Sequence, residues 1–168
     1  MWDVEIAEVD GFIAAYKTLD GPMPAWVDHH RGRDWQLRWG IQDAHLIERG
    51  ELCITCDDSL THVAFVAIMN QRMFYRLDIA PLTEVHPNPY GAAALNLPPS
   101  VSGPHVHGWP ENREYVRVNG FGQLPYRRGI QALVQTIADG LAWVAQDLNL
   151  MVTAEQRVCD PPIQTKLI

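Results

Sequence analysis

The segment SGPHVHGWPENREY, residues 102–115, places His105 and His107 one residue apart, with Glu111, Arg113 and Tyr115 just beyond. If HVH is a short strand, the two imidazoles share a face, because side chains alternate along a strand. Paired imidazoles on one face can chelate a metal ion through neutral nitrogens, or they can pass protons near neutral pH, where an unperturbed imidazole titrates. They can also simply tie a loop to a sheet by hydrogen bonds. His86, in the turn HPNPYG at 86–91, is the natural third member.

Two chemical readings follow. In the metal-free one, which is preferred, His105 and His107 act as acid and base, His86 participates, and Arg113 stabilises developing negative charge. Asn88, Tyr90, Trp109, Tyr115 and Arg117 are then the candidates for holding the substrate. In the other, a divalent metal is held by His86, His105 and His107 with Glu111, or Asp78, as further help. The spacing from His105 through Glu111 is that of the first half of a cupin metal motif. No histidine follows His107, so the second half is missing and a cupin barrel fits poorly.

Positioning these groups needs a scaffold. Residues 34–41, DWQLRWGI, alternate Trp35, Leu37, Trp39 and Ile41 with polar neighbours, which is the two-residue period of a half-buried strand. ELCITC, HVAFVAIM and RMFYRLDI repeat the pattern, and Asn70-Gln71 between the last two predicts a tight hairpin. The middle of the chain therefore reads as an antiparallel meander. An N-terminal helix is expected from Ile6, Val9, Phe12, Ile13, Tyr16 and Leu19, with Asp3 as N-cap and GPMP at 21–24 as its end. A long amphipathic helix is expected from Ile130 to Leu148, with Gly140 allowing close packing. Most of the twelve prolines lie between Pro81 and Pro110, which makes that stretch a long loop broken by AAAL. The expectation is one α+β domain over residues 1–168: an antiparallel meander sheet packed by the long C-terminal helix and the N-terminal helix.

Composition narrows the function. A net charge of −7 argues against an extended grip on duplex DNA, although Arg31, Arg33 and Arg38, and again Arg113, Arg117, Arg127 and Arg128, leave room for a local anion site. No apolar run approaches a membrane span, and MWDVEIAEVD is acidic where a signal peptide is basic, so no membrane partner and a cytoplasmic location are expected. Three cysteines are too few for a disulfide framework; Cys53 and Cys56, three apart on a strand, are expected as buried free thiols. The alternating tryptophans read as core before they read as a stacking platform.

RLDIAP (76–81), HPNPYG (86–91) and SGPHVHGWPENREY together resemble a family of small uncharacterised bacterial and mobile-element proteins. Its members carry a His-x-Asn-Pro turn followed by Gly-Pro-His-x-His. Pro162-Ile163-Gln164 is similar to its C-terminal run. The resemblance implies that His86, Asn88, Pro89, Gly103, His105 and His107 share one surface, and it implies no activity. AAALNLPPSV lengthens the loop relative to that pattern, and Trp109-Pro110 replaces a tyrosine-containing exit. Phage and toxin settings are typical of such proteins. The expected function is a small histidine-dependent hydrolase, directed at a phosphodiester or nucleotide, with a small anionic substrate or RNA as partner. The alternative is a non-catalytic interaction protein that inhibits a bacterial partner such as a defence complex, using the Pro-rich loop as its docking surface.

Overall fold

Strict alternation is most visible in the strand Val63–Met69, where every second side chain is buried. A computed structural model of the chain describes residues 2–29, 34–130 and 134–162. In chain order it contains α1 (Asp3–Ala14), β1 (Lys17–Leu19), β2 (Val27–His29), β3 (Asp34–Asp43), β4 (Glu48–Asp57), β5 (Val63–Met69) and β6 (Arg72–Ile79). Then come β7 (Val85–Pro87), a 3-10 helix (Tyr90–Leu95), β8 (Ser100–Ser102), β9 (His105–His107), α2 (Trp109–Asn119), β10 (Arg128–Gly129), α3 (Ile137–Asp147) and β11 (Leu150–Met151). The architecture is α+β with a mostly antiparallel sheet, as the sequence predicts.

The four predicted strands are β3 to β6, paired in sequence as a meander, and β9 adds to the free edge of β6. Asn70 and Gln71 both take positive φ, 50° and 62°, the double left-handed turn whose twist matches two antiparallel strands. One face of the sheet is core. Leu37, Ile54, Phe65, Leu77 and Val106 are fully buried there. α3 lies against that face, with Gly140 so close to Phe65 that a Cβ would stand 2.3 Å from the ring.

Three expectations about the helices are corrected. α3 begins at Ile137, not Ile130, because Thr136 and Asp139 form a capping box that starts the helix there. The apolar stripe continues upstream, but Arg128–Gly129 is strand, and 131–133 lie outside the described residues. α1 ends at Ala14, so Tyr16 and Leu19 are not part of its stripe. The Lys17 ammonium donates to the carbonyls of Phe12, Ile13 and Ala15 at 2.6, 3.2 and 2.6 Å, closing the helix end before β1 pairs with β3. Asp3 is the first helical residue rather than the cap, which is Trp2. α2, absent from the sequence reading, starts at the Gly108–Trp109–Pro110 junction, with proline in the first turn where its missing N–H costs nothing.

Candidate active site

The opposite face of the sheet carries a row of laterally paired residues. Gln36 faces Thr55, Thr55 faces Ala64, Ala64 faces Asp78, and Asp78 faces His105, across β3, β4, β5, β6 and β9. All five line one cleft of about 550 Å³. Its floor is therefore built on the central paired strands of the sheet. His107, two residues from His105, projects to the same side, as the alternation predicts, and pairs in register with Arg76.

The Pro-rich excursion between β6 and β9 forms a wall. β7 pairs with β8 and carries His86, whose ring centroid lies 4.4 Å from that of His105. The His105 and His107 rings are 5.4 Å apart. His86, His105 and His107 thus gather at one cleft. Gly103 supplies a left-handed φ of 70° just before β9, and a Cβ there would strike Leu82. Asn88 and Asn112 each grip the strap that closes the far side: Asn88 bonds Arg127 N and O at 2.7 and 2.9 Å, and Asn112 bonds Tyr126 N and O at 2.9 Å each.

Both strand histidines are held from behind. His105 Nδ1 lies 2.8 Å from the Gly103 carbonyl oxygen, and His107 Nδ1 bonds the Leu124 carbonyl oxygen. A carbonyl can only accept, so each Nδ1 carries the proton and, in the neutral ring, each Nε2 presents a lone pair. Those two atoms lie 3.6 and 3.5 Å from Asp78 Oδ2, long for hydrogen bonds. Burial pushes the His105 pKa below its usual value, and the carbonyl bond and Asp78 oppose this only in part. Burial also works against the Asp78 carboxylate, but hydrogen bonds from the His107 ring, in its protonated form, and from the Arg76 guanidinium outweigh it and hold the acid well below the usual range. Arg76 donates to both oxygens of Asp78: from Nε to Oδ1 and Oδ2 at 2.9 and 2.8 Å, and from Nη2 to Oδ1 at 2.7 Å.

A second chain of groups enters from the rim. His62 Nε2 is 2.8 Å from Glu84 Oε2, and Glu84 Oε1 is 3.3 Å from His86 Nε2, which is shielded from solvent and makes no hydrogen bond. Glu84 raises the His62 pKa, with Asp57 adding to the effect. Arg127 also lines the cleft; its Nη1 donates to the Pro87 carbonyl, while its shielded Nε makes no hydrogen bond.

Other predicted site residues lie elsewhere. Arg113 does not line the cleft: it forms a two-pronged pair with Asp10 of α1, at 3.0 and 2.7 Å. Trp109 is buried and donates to the same aspartate. Arg117 pairs with Glu114 on the surface of α2, Tyr115 reaches Gln123, and Tyr90 is fully exposed. Asn88 is spent on main-chain bonds. Glu111 bonds Arg128 at 3.0 Å and is not among the residues around the imidazoles; the carboxylate that meets them is Asp78. The basic loop at 30–33 and the C-terminal run from Ile163 lie outside the described residues.

Sequence reasoning passed over Arg76, His62 and Glu84, all of which line the cleft. The signal for Arg76 was present: in RMFYRLDI, Arg76 and Asp78 alternate with buried Leu77 and Ile79. Trp39 is core, as expected, whereas Trp35 is half-buried in the cleft wall. Cys53 and Cys56 are buried free thiols; burial, reinforced by Asp57, pushes Cys56 up to about 12, which keeps it protonated and unreactive.

Comparison with protein-family models, with curated proteins and with solved structures finds no match to this chain. No helix among the described residues is long and apolar enough to cross a membrane.

Proposed function

We propose that the chain is a small histidine-dependent hydrolase acting in this cleft on a small anionic ester, of which a phosphodiester or nucleotide is the best fit. The observation that carries the reading is the gathering of three imidazoles and Asp78 in one solvent-reachable cleft that two arginines also line. A bare Nε2 on His105 or His107 takes a proton from water as the water oxygen attacks phosphorus. The bond to the leaving oxygen breaks, and a protonated imidazole, with His86 placed for the part, returns a proton to that oxygen. Arg127 takes the charge-stabilising role that the sequence reading gave to Arg113. The net charge of −7 suits a compact anion or short RNA held locally, not a duplex held along its length.

The test is hydrolysis of a panel of chromogenic phosphodiesters, cyclic nucleotides and short RNAs by the wild-type chain and by the His105→Gln/His107→Gln double variant. Activity that falls at least about 100-fold in the folded double variant supports the reading. A wild-type rate no higher than the variant's on every substrate refutes it.

A second reading has its own observation. Leu82, Val85, Tyr90 and Leu95, all on the Pro-rich excursion, are exposed. A non-catalytic protein that docks a partner through this loop would present such a rim. Tyr90→Ser with Leu82→Ser would then abolish partner binding, while the double histidine change would weaken it only moderately.

A further inference from the structure

Asp78, His105 and His107 each offer one ligand atom to a group whose members all lie within 4.8 Å of one another. The chemistry of those atoms is unusual. With each Nδ1 proton committed to a carbonyl, the neutral rings turn the lone pairs of His105 Nε2 and His107 Nε2 toward Asp78 Oδ2, which also accepts from Arg76 Nε at 2.8 Å. Such an arrangement is repulsive unless a proton or a metal cation sits among the three.

We infer that Asp78, His105 and His107 form a binding site for one divalent transition-metal ion of the zinc type, taken through two imidazole nitrogens and one carboxylate oxygen. The proposal rests on the cleft of the hydrolase reading and deepens it by naming a cofactor class. An ion there would take the Nε2 lone pairs of His105 and His107, and a water polarised by the ion would replace the free imidazole as the source of the nucleophile. The ion and the activity can nonetheless fail separately. Three features support it.

Size is the first. A tetrahedral ion with bonds of about 2.1 Å has ligand-to-ligand edges of about 3.4 Å. The two nitrogen-to-oxygen edges here are 3.6 and 3.5 Å, within a few tenths of an ångström of that value, and all three ligand atoms lie within 4.8 Å of one another, so the imidazoles close on an ion by side-chain rotation.

Outer support is the second. Metal-binding imidazoles characteristically donate their other N–H to a carbonyl or carboxylate, which fixes the ring and the tautomer. Both rings do so here, and Arg76 holds both oxygens of the aspartate, leaving the second lone pair of Oδ2 for an ion. The Arg76 charge weakens the carboxylate as a donor, and the two neutral imidazoles make the soft nitrogen-rich set that favours zinc-like ions over magnesium or calcium.

Placement is the third. The ligand side chains are only 3%, 8% and 15% exposed, yet all three line the cleft, so a fourth position is reachable from it. His86 packs against His105, its ring tilted by 43°, and lines the same cleft outside the three-ligand group.

The experiment is metal titration of chelator-stripped full-length protein with Zn²⁺ and, as a spectroscopic stand-in, Co²⁺, followed by calorimetry and by visible absorption. The expected result is one ion per chain, a four- or five-coordinate Co²⁺ spectrum, and affinity lowered at least about 100-fold in His107→Gln and in Asp78→Asn. If a variant does not fold, Zn²⁺-induced shifts of the His105 and His107 Nε2 resonances in the wild-type chain give the same answer. No binding, or binding unchanged in folded variants with no Nε2 shift, overturns the site. Binding without hydrolysis sinks the hydrolase reading and leaves the site. Hydrolysis that survives exhaustive chelation, with no ion bound, sinks the site and leaves the hydrolase.

Discussion

Asp78 and His105 are directly opposed residues of the β6–β9 ladder, and the carboxylate Oδ2 lies 3.6 Å from the imidazole Nε2. The pairing makes their relative position a property of sheet register, not of loop conformation. A one-residue slip of β9 would turn His105 into the apolar core and Val106 out of it, which the complete burial of Val106 opposes. Chemistry built on this pair is positioned by the sheet ladder, while His86 is positioned by the separate β7–β8 pair of the excursion.

Exchanging the two candidate arginines separates cleft from scaffold. Arg127→Gln should lower kcat/KM on a phosphodiester roughly 100-fold, as loss of one preorganised donor to developing charge does. Arg113→Gln should leave kcat/KM within about threefold of wild type, because its partner is Asp10, on the α1–α2 side. The reverse ranking would return the anion site to α2.

The rim pair gives a pH signature. The hydrogen bond that His62 donates to Glu84 holds the His62 pKa above its ordinary value, so the folded chain binds this proton more tightly than the unfolded chain. The pair's stabilisation is therefore complete below about pH 6.5 and is lost as the pH rises through the raised folded-state value. Denaturant titrations across this window should show that loss, and Glu84→Gln should flatten it; NMR titration should return the His62 pKa toward 6.5, short of it if the Asp57 contact persists. An unchanged His62 midpoint in Glu84→Gln would contradict the pairing.

Gly140 tests the packing of α3 on the sheet. An added methyl would meet Phe65 at 2.3 and 2.5 Å and Ile79 at 3.2 Å. Gly140→Ala gains up to about 1 kcal/mol of helix propensity but overpacks the core at a cost of about 1–3 kcal/mol. Phe65 is fully buried and has no room to swing away, so the clash prevails and the midpoint of chemical denaturation falls. A stabilised variant would show that α3 sits farther from β5.

Much of the scaffold was legible because it is written locally. Two-residue alternation marked β3 to β6, the Asn70-Gln71 turn, and the shared face of His105 and His107. The helix at the C-terminus was overextended because an apolar stripe does not say where a helix starts; the Thr136–Asp139 cap does, and it was overlooked. The partners of the site residues were not legible for a different reason. Arg113 meets Asp10 across 103 positions of sequence, and His105 meets Asp78 only because β9 returns to β6 after the Pro-rich excursion. Such pairings depend on strand order, which no local pattern specifies, so Glu111 and Arg113 looked like neighbours of the imidazoles by proximity in sequence alone.

The central claim is that two bare imidazole nitrogens and one carboxylate oxygen converge in the cleft. Long-range proton–nitrogen correlation spectra of the histidine rings, recorded near pH 7.5 on chelator-stripped protein, test it most directly. The account predicts that His105 and His107 are both neutral Nδ1–H tautomers with unprotonated Nε2. Rings protonated at Nε2, donating to Asp78, would contradict it.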